Sequence, residues 1–244
     1  MKDMDRRTFL KVSSIGAAMA AAGTSMAADG PPPVAYRTLG RTGMKISVIG
    51  VGALKTPDPA IFQAAFDRGV NYVDTARVYL EGRSEKLVGE ALKGYRDKVF
   101  VATKAFPGTK EQVQASIQES FDNLKVDYVD VLQLHHVESK EGVYDKVCRE
   151  VFAEAKKQGR ARFLGVSTHK NEAAVINAVV DDPEKFYDMV LVSYNFKSKP
   201  EIKQAVARAG EAGIGIVAMK TQAGGYNSKE FGDSTPHQAA LRWV

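Results

Sequence analysis

The sequence predicts an α/β fold, a barrel of parallel strands joined by helical crossovers, and two observations carry that prediction. Short apolar runs alternate with amphipathic stretches of helical period along most of the 244 residues. That alternation calls for a parallel sheet with helices between its strands. Three successive apolar runs also end in titratable residues. YVDTARVY (72–79) carries Asp74 and Tyr79, VFVATK (99–104) closes on Lys104, and YVDVLQLHH (128–136) closes on His135 and His136. A strand buried on both faces has no packing reason to finish in Asp, Lys or His, so three such endings point to a site at one rim of the barrel.

Each element follows from local chemistry. RTLGRTG (37–43) reads as a small hairpin turning between Gly40 and Gly43, and residues 46–52 as strand one. A helix over 58–68 is broken by Gly69. Strand two covers 72–76, and the helix over 84–92 opens on the capping pair Ser84 and Glu85. Strand three covers 99–104. The helix over 110–124 sets Val113, Ile117, Phe121 and Leu124 on one face. Strand four runs over 128–135, followed by a helix over 144–158 that Gly159 ends. Strand five covers 163–167, with a helix over 172–180. Strand six covers 189–194, and the helix over 200–212 has Pro200 in its first turn and Gly213 past its end. Strand seven covers 214–219, and a further helix begins over 234–243. These make about seven strand–helix units where a closed barrel has eight, so strands one and seven are expected to present open edges.

Composition narrows the function classes. The chain is 44% hydrophobic and 26% charged, ordinary for a globular protein. The net charge of +5 is spread without a basic stripe interleaved with aromatics, which argues against a nucleic-acid partner. The single Cys148 excludes an internal disulfide framework and a Cys-only metal or iron–sulfur cluster, and its helical position reads as packing. Residues 1–27 read as an export address. DRRTFLK (5–11) precedes the weakly apolar run VSSIGAAMAAAGTSMA, and Ser25-Met26-Ala27 offers a small–x–small cleavage site. This combination resembles a bacterial twin-arginine signal, which implies the twin-arginine export machinery as a partner and a periplasmic or exported location. Residues 28–35 form a Pro-rich linker, leaving 36–244 for the barrel. No other segment is apolar for long enough to insert stably in a membrane.

The strand-end residues, in this order and spacing, resemble those of the aldo-keto reductase family. In that family a DTAxxY motif supplies an Asp and a Tyr, the next strand ends in a Lys, and the one after ends in a His. The resemblance covers the barrel region. It implies a TIM (β/α)8-type barrel plugged below by an N-terminal β-hairpin, here with about seven of eight units present. It also implies reduction of an aldehyde or ketone by hydride transfer from NADP(H), with NAD(H) compatible as well. On the matching positions, Asp74, Tyr79, Lys104 and His135 are the catalytic four. A tyrosine has an ordinary pKa near 10, so the general-acid role implied for Tyr79 calls for a cation beside it. Lys104 would be that cation, Asp74 would hold Lys104, and His135 would orient the substrate oxygen. Adjacent side chains on a strand point to opposite faces, so only one of His135 and His136 is expected to face the barrel mouth.

For the nucleotide, the resemblance implies contacts from Gly52, Asp74, Ser167, Thr168, Leu191, Met219, Lys220 and Thr221. Ser167 and Thr168 close GVST (165–168), at the nicotinamide carboxamide. Leu191 and Met219 stand where a glutamine and a ring-stacking tyrosine are common in the family. Lys220 and Thr221 open the Gly-containing end of VAMKTQAGG (217–225), a loop suited to approaching a pyrophosphate.

Singly, each of these residues has a plainer reading: Asp74 opens a turn, Tyr79 packs, and Lys104 is a surface charge. Their joint spacing favours the site. No GxGxxG opens a helix after a strand, and neither HExxH nor a nucleophile elbow occurs. No metal is expected, because His135, His136 and His169 lack a ligand spacing. A second function class is a catalytically impaired nucleotide-binding or regulatory protein of the same family, or a fragment of one, favoured by the missing eighth unit. A third, a phosphate-binding barrel isomerase or lyase, lacks the loop after an eighth strand.

Overall fold

The computed structural model describes residues 34–224 and 235–244. The expected signal at 1–27, most of the linker and residue 234 lie outside the described residues. Strands β1 (Tyr36–Thr38) and β2 (Lys45–Ser47) pair antiparallel as the hairpin, around a 3-10 turn at Gly40–Thr42. Seven parallel strands follow in one sheet, and their order in space is their order in sequence: β3 (Val51–Gly52), β4 (Tyr72–Asp74), β5 (Phe100–Ala105), β6 (Val129–Leu134), β7 (Ala161–Thr168), β8 (Met189–Ser193) and β9 (Gly215–Met219). The crossovers carry α1 (Pro59–Asp67), α2 (Ser84–Ala91), α3 (Lys110–Leu124), α4 (Lys140–Val143), α5 (Lys146–Lys157), α6 (Glu172–Val180) and α7 (Pro200–Glu211), and α8 (Pro236–Trp243) comes last. Sequential parallel strands with same-handed crossovers put the helices on one face and curl the sheet toward a barrel. Among the described residues β3 and β9 do not pair with each other, so the curl stays open along that seam.

Period-two alternation sorts the strand side chains into two cores. Val73, Val101, Leu132, Leu164 and Val190 face outward and pack with Phe62, Val88, Ile117, Phe152 and Ile176 of the helices. Tyr72, Ala102, Val131, Met189 and Leu191 face inward and are buried with Leu39 and Met44 of the hairpin, which therefore fills the bottom of the curl as expected. Gly40 allows this seating. Its φ is +47°, and a Cβ there would lie 2.4 Å from the Gly215 nitrogen and 2.5 Å from the Gly213 oxygen. The hydrogen bond from Arg41 N to Gly213 O (2.7 Å) fixes the contact.

The expected elements recur, with differences at several of their ends. Ser84 and Glu85 do not cap α2: Ser84 Oγ donates to Ala53 O (3.1 Å) and Glu85 Oε1 accepts from Thr103 Oγ1 (2.5 Å). Strand one at 46–52 divides. Ile46 and Ser47 belong to the hairpin, and only Val51–Gly52 joins the parallel sheet. Asn71 causes the division: its Oδ1 accepts from Ser47 N (2.6 Å), and Ser47 Oγ donates to Ile49 O (2.8 Å), which bends the chain between the two sheets. The helix expected over 144–158 starts at Lys146, because the Asp145 carboxylate caps Cys148 N (2.7 Å) and Tyr144 closes the preceding short α4. Strand five is longer than expected, extending over Ala161–Thr168. Helix α3 carries a full capping box between Thr109 and Gln112. Cys148 is buried, and burial foremost pushes its thiol up to about 12, in keeping with a packing role. Among the described residues no helix is long and apolar enough to cross a membrane.

Candidate active site

The alternation that builds the inner core also builds the site. Inward positions run Tyr72, Asp74 on β4, then Ala102, Lys104 on β5, then Val131, Gln133 on β6, with His135 just beyond. The deeper members are apolar and the members at the rim are polar. Asp74 sits beside Gly52 of β3 and Ala102 of β5 in the register, at the carboxyl ends of the strands, where parallel barrels place their chemistry.

Lys104 is only 2% exposed. A lysine that deep requires partners, and its Nζ forms an ion pair with Asp74 Oδ1 and donates to Thr75 O at 2.7 Å. The second oxygen of Asp74 accepts from Gln133 Nε2, also at 2.7 Å. Tyr79 opens a turn at Tyr79–Gly82 in which Leu80 and Glu81 are both left-handed, with φ of 50° and 58°. This tight reversal holds the half-buried Tyr79 ring over Lys104, with Nζ 5.0 Å from the ring centroid. The same ring stands edge-on to His135, centroids 6.0 Å apart. The four residues expected to act together are thus in one cluster.

His135 follows β6, donates its backbone N–H to Ala105 O (2.8 Å) and stacks on Phe106 at 4.4 Å between centroids. Its side chain is buried, and Nδ1 has no hydrogen-bond partner. Burial first, then Lys104, His136 and His169, pushes its pKa down to about 3. A neutral imidazole offers one N–H donor and one acceptor. The expectation that His136 points to the opposite face does not hold. Alternation requires extended backbone, and His136 has φ +62°, with its N–H bonded to Ser167 Oγ (3.1 Å). Its ring lies 5.4 Å from that of His135 and 4.6 Å from that of His169, so the imidazoles form a row along the rim.

His169 is likewise depressed, to about 4, by burial first, then by Lys220, His136 and Lys104, with Glu138 opposing. Both pKa values fall below the unfolded value of about 6.5. The stability linked to these groups is therefore fully present above about pH 6.5 and is lost as pH falls through 4 and then 3. His169→Gln is expected to shift the acid unfolding midpoint to lower pH, read by circular dichroism. An unmoved midpoint would mean that other groups govern acid unfolding.

The expected nucleotide contacts divide. Ser167 and Thr168 are fully buried, and their hydroxyls are engaged within the protein, Ser167 with His136 N and Thr168 with Lys170 O (2.7 Å). They shape the rim from beneath. Leu191 is buried on the inner face, and the half-buried Met219 packs against the same inner cluster, opposite Ser193 in the register. Lys220 is exposed at the end of β9, and its carbonyl accepts from Asn195 Nδ2 (3.1 Å) and Ala223 N (2.9 Å). Lys220, Ala223 and Gly224 are all left-handed, and Thr221 between them is half-buried. A Cβ at Gly52 would meet no atom within 4 Å. This donor set fits a nicotinamide nucleotide: apolar Met219 suits a flat ring, the space at Gly52 is open, and the Lys220 cation on a strongly turned loop suits a phosphate. Among the described residues no set of three His, Cys, Asp or Glu is placed to hold a metal ion.

Two site residues escaped the sequence reading. Gln133 lies two positions before His135 and Phe106 two after Lys104, so the period of two that singles out their neighbours was the available signal.

The family model described as the Aldo/keto reductase family matches residues 55–242. L-galactose dehydrogenase of Arabidopsis thaliana is 34% identical over 158 residues, covering 55% of this chain and 48% of that protein. The holo form of an aldo-keto reductase from Bacillus halodurans, 23% identical, superposes with a TM-score of 0.72 over 86% of this chain and 81% of that one. An aldo-keto reductase from Klebsiella pneumoniae solved in complex with NADPH, 22% identical, superposes with a TM-score of 0.67 over 78% of this chain and 69% of that one. The chain spans about half the length of the curated relatives it matches.

Proposed function

The chain belongs to the aldo/keto reductase family, and from that membership and the geometry of the rim we propose that it reduces an aldehyde or ketone to an alcohol, with NADP(H) as cofactor. The observation that carries the reading is the buried Lys104, held between Asp74 and the Thr75 carbonyl beneath the ring of Tyr79 and next to a neutral His135. Cofactor choice is supported by the related protein crystallised with NADPH.

When bound, the cofactor supplies the hydride. Met219 and Leu191 would hold its ring, Ser167 and Thr168 would back that position, and Lys220 and Thr221 would meet its phosphates. Tyr79 gives its phenolic proton to the substrate oxygen as that oxygen gains charge. The Lys104 ammonium stabilises the phenolate left behind, and Asp74 keeps the ammonium in place. Neutral His135 donates a hydrogen bond to the same oxygen and orients the carbonyl.

A second reading is a nucleotide-binding or regulatory protein of the same family without turnover. NADPH fluorescence titration of the purified chain, followed by NADPH consumption with benzaldehyde, separates the two. Binding with turnover is the expected result. Binding without turnover supports the regulatory reading, and absence of binding rejects both.

We also propose export by the twin-arginine route, on the strength of Arg6-Arg7 within DRRTFLK. The full chain expressed in a bacterial host is expected in the periplasmic fraction. Replacement of Arg6 and Arg7 by Lys is expected to retain it in the cytoplasm, and equal export of both forms would reject this route.

A further inference from the structure

We propose that Gln133 is a positioning residue of this site, acting through Asp74 to hold Lys104; the inference rests on the reductase reading above. Gln133 is fully buried at an inward position of β6, directly beside Lys104 in the β5–β6 register. The inward residue below it is Val131, and an apolar side chain is the default for such a place. Instead there is an amide with Nε2 bonded to Asp74 Oδ2 at 2.7 Å, while its own Oε1 is buried without a partner. The orientation is dictated by Asp74, since turning the amide over would set Oε1 against a carboxylate oxygen. An unpaired buried carbonyl oxygen costs stability, so the amide is not explained by packing.

The geometry explains it. Asp74 has one donor on each oxygen, Lys104 Nζ on Oδ1 and Gln133 Nε2 on Oδ2. Two donors at opposite ends fix the plane of a carboxylate, whose terminal torsion is otherwise broad. The Asp74 side chain is 15% exposed, so without Gln133 its free oxygen would turn toward water. Lys104 would then lose the direction that keeps Nζ on Thr75 O and beneath the Tyr79 ring. Gln133, Asp74 and Lys104 act behind Tyr79, which with His135 is the group proposed to meet the substrate oxygen. The effect should fall on the chemical step and leave binding alone.

The test uses the full chain with Gln133→Leu, similar in size and apolar, and Gln133→Met as a second variant should the first fold poorly. With benzaldehyde and NADPH, kcat is expected to fall by about 10- to 100-fold, the scale of a small misplacement of catalytic groups, with KM for benzaldehyde held within about two-fold. In an Asp74→Asn background the same substitution is expected to cause no further loss, because the path runs through Asp74. A readout independent of turnover is the ammonium signal of Lys104 in protein carrying nitrogen-15 lysine. It is expected to be slow in solvent exchange in the unaltered chain and to broaden in Gln133→Leu. An unchanged kcat together with an unchanged signal overturns the role of Gln133, as does equal loss of kcat in the presence and absence of the Asp74 carboxylate. Lack of turnover by the unaltered chain would reject the reductase reading alone. The Lys104 signal would then decide Gln133: broadening in the variant upholds its hold on Lys104, and an unbroadened signal, or none in the unaltered chain, overturns it.

Discussion

Tyr79→Phe is expected to lower kcat for benzaldehyde reduction by about 10²- to 10⁴-fold, the usual worth of a positioned general acid, while NADPH binding is retained. The substitution keeps the ring that lies 5.0 Å from Lys104 Nζ and edge-on to His135, and removes only the hydroxyl. Among the described residues that hydroxyl makes no hydrogen bond, so the rim should keep its shape and Tm should change little. Because the proton is needed only as the substrate oxygen gains charge, the loss belongs in kcat and not in KM. A kcat within ten-fold of the unaltered chain would remove Tyr79 from the acid role.

Lys104→Met should be costly on two counts. Turnover is expected to fall at least as far, because the ammonium that would stabilise the Tyr79 phenolate is gone. Stability is expected to fall as well, by roughly 3–5 kcal/mol, the usual cost of leaving one member of a buried ion pair without its partner. Methionine fills much of the volume of the lysine stem, so the loss comes mainly from Asp74, left with Gln133 alone. Chemical denaturation read at constant slope measures it. Adding Asp74→Asn should recover most of the stability and none of the turnover. A single-variant loss below about 1 kcal/mol would show that the pair is solvated rather than buried, against its geometry.

Much of this protein could be read from local chemistry. The helix over 110–124 carries its own signal, an apolar face at Val113, Ile117, Phe121 and Leu124. Asp74, Lys104 and His135 stood out because a strand core has no use for them, and each lies at the carboxyl end of its strand or just beyond. The less legible parts depended on backbone that local preference does not specify. Strand one divided because Asn71, more than twenty residues away, bonds Ser47. His136 left the strand pattern because Ser167 on the neighbouring strand holds it in a left-handed conformation.

The sequence by itself determined the alternation of strands and helices, the rim at which titratable residues collect, and four residues that meet there, Asp74, Tyr79, Lys104 and His135. Those follow from periodicity and from the cost of burying charge, both of which are written along the chain. Only the tertiary structure decided how the rim is held. That Asp74 is gripped on both oxygens, that His135 and His136 are neighbours in one row, and that Ser167 and Thr168 support the rim from beneath all depend on distances between strands. Such distances arise when the sheet curls and residues far apart in sequence meet across it, and no run of neighbouring residues encodes them.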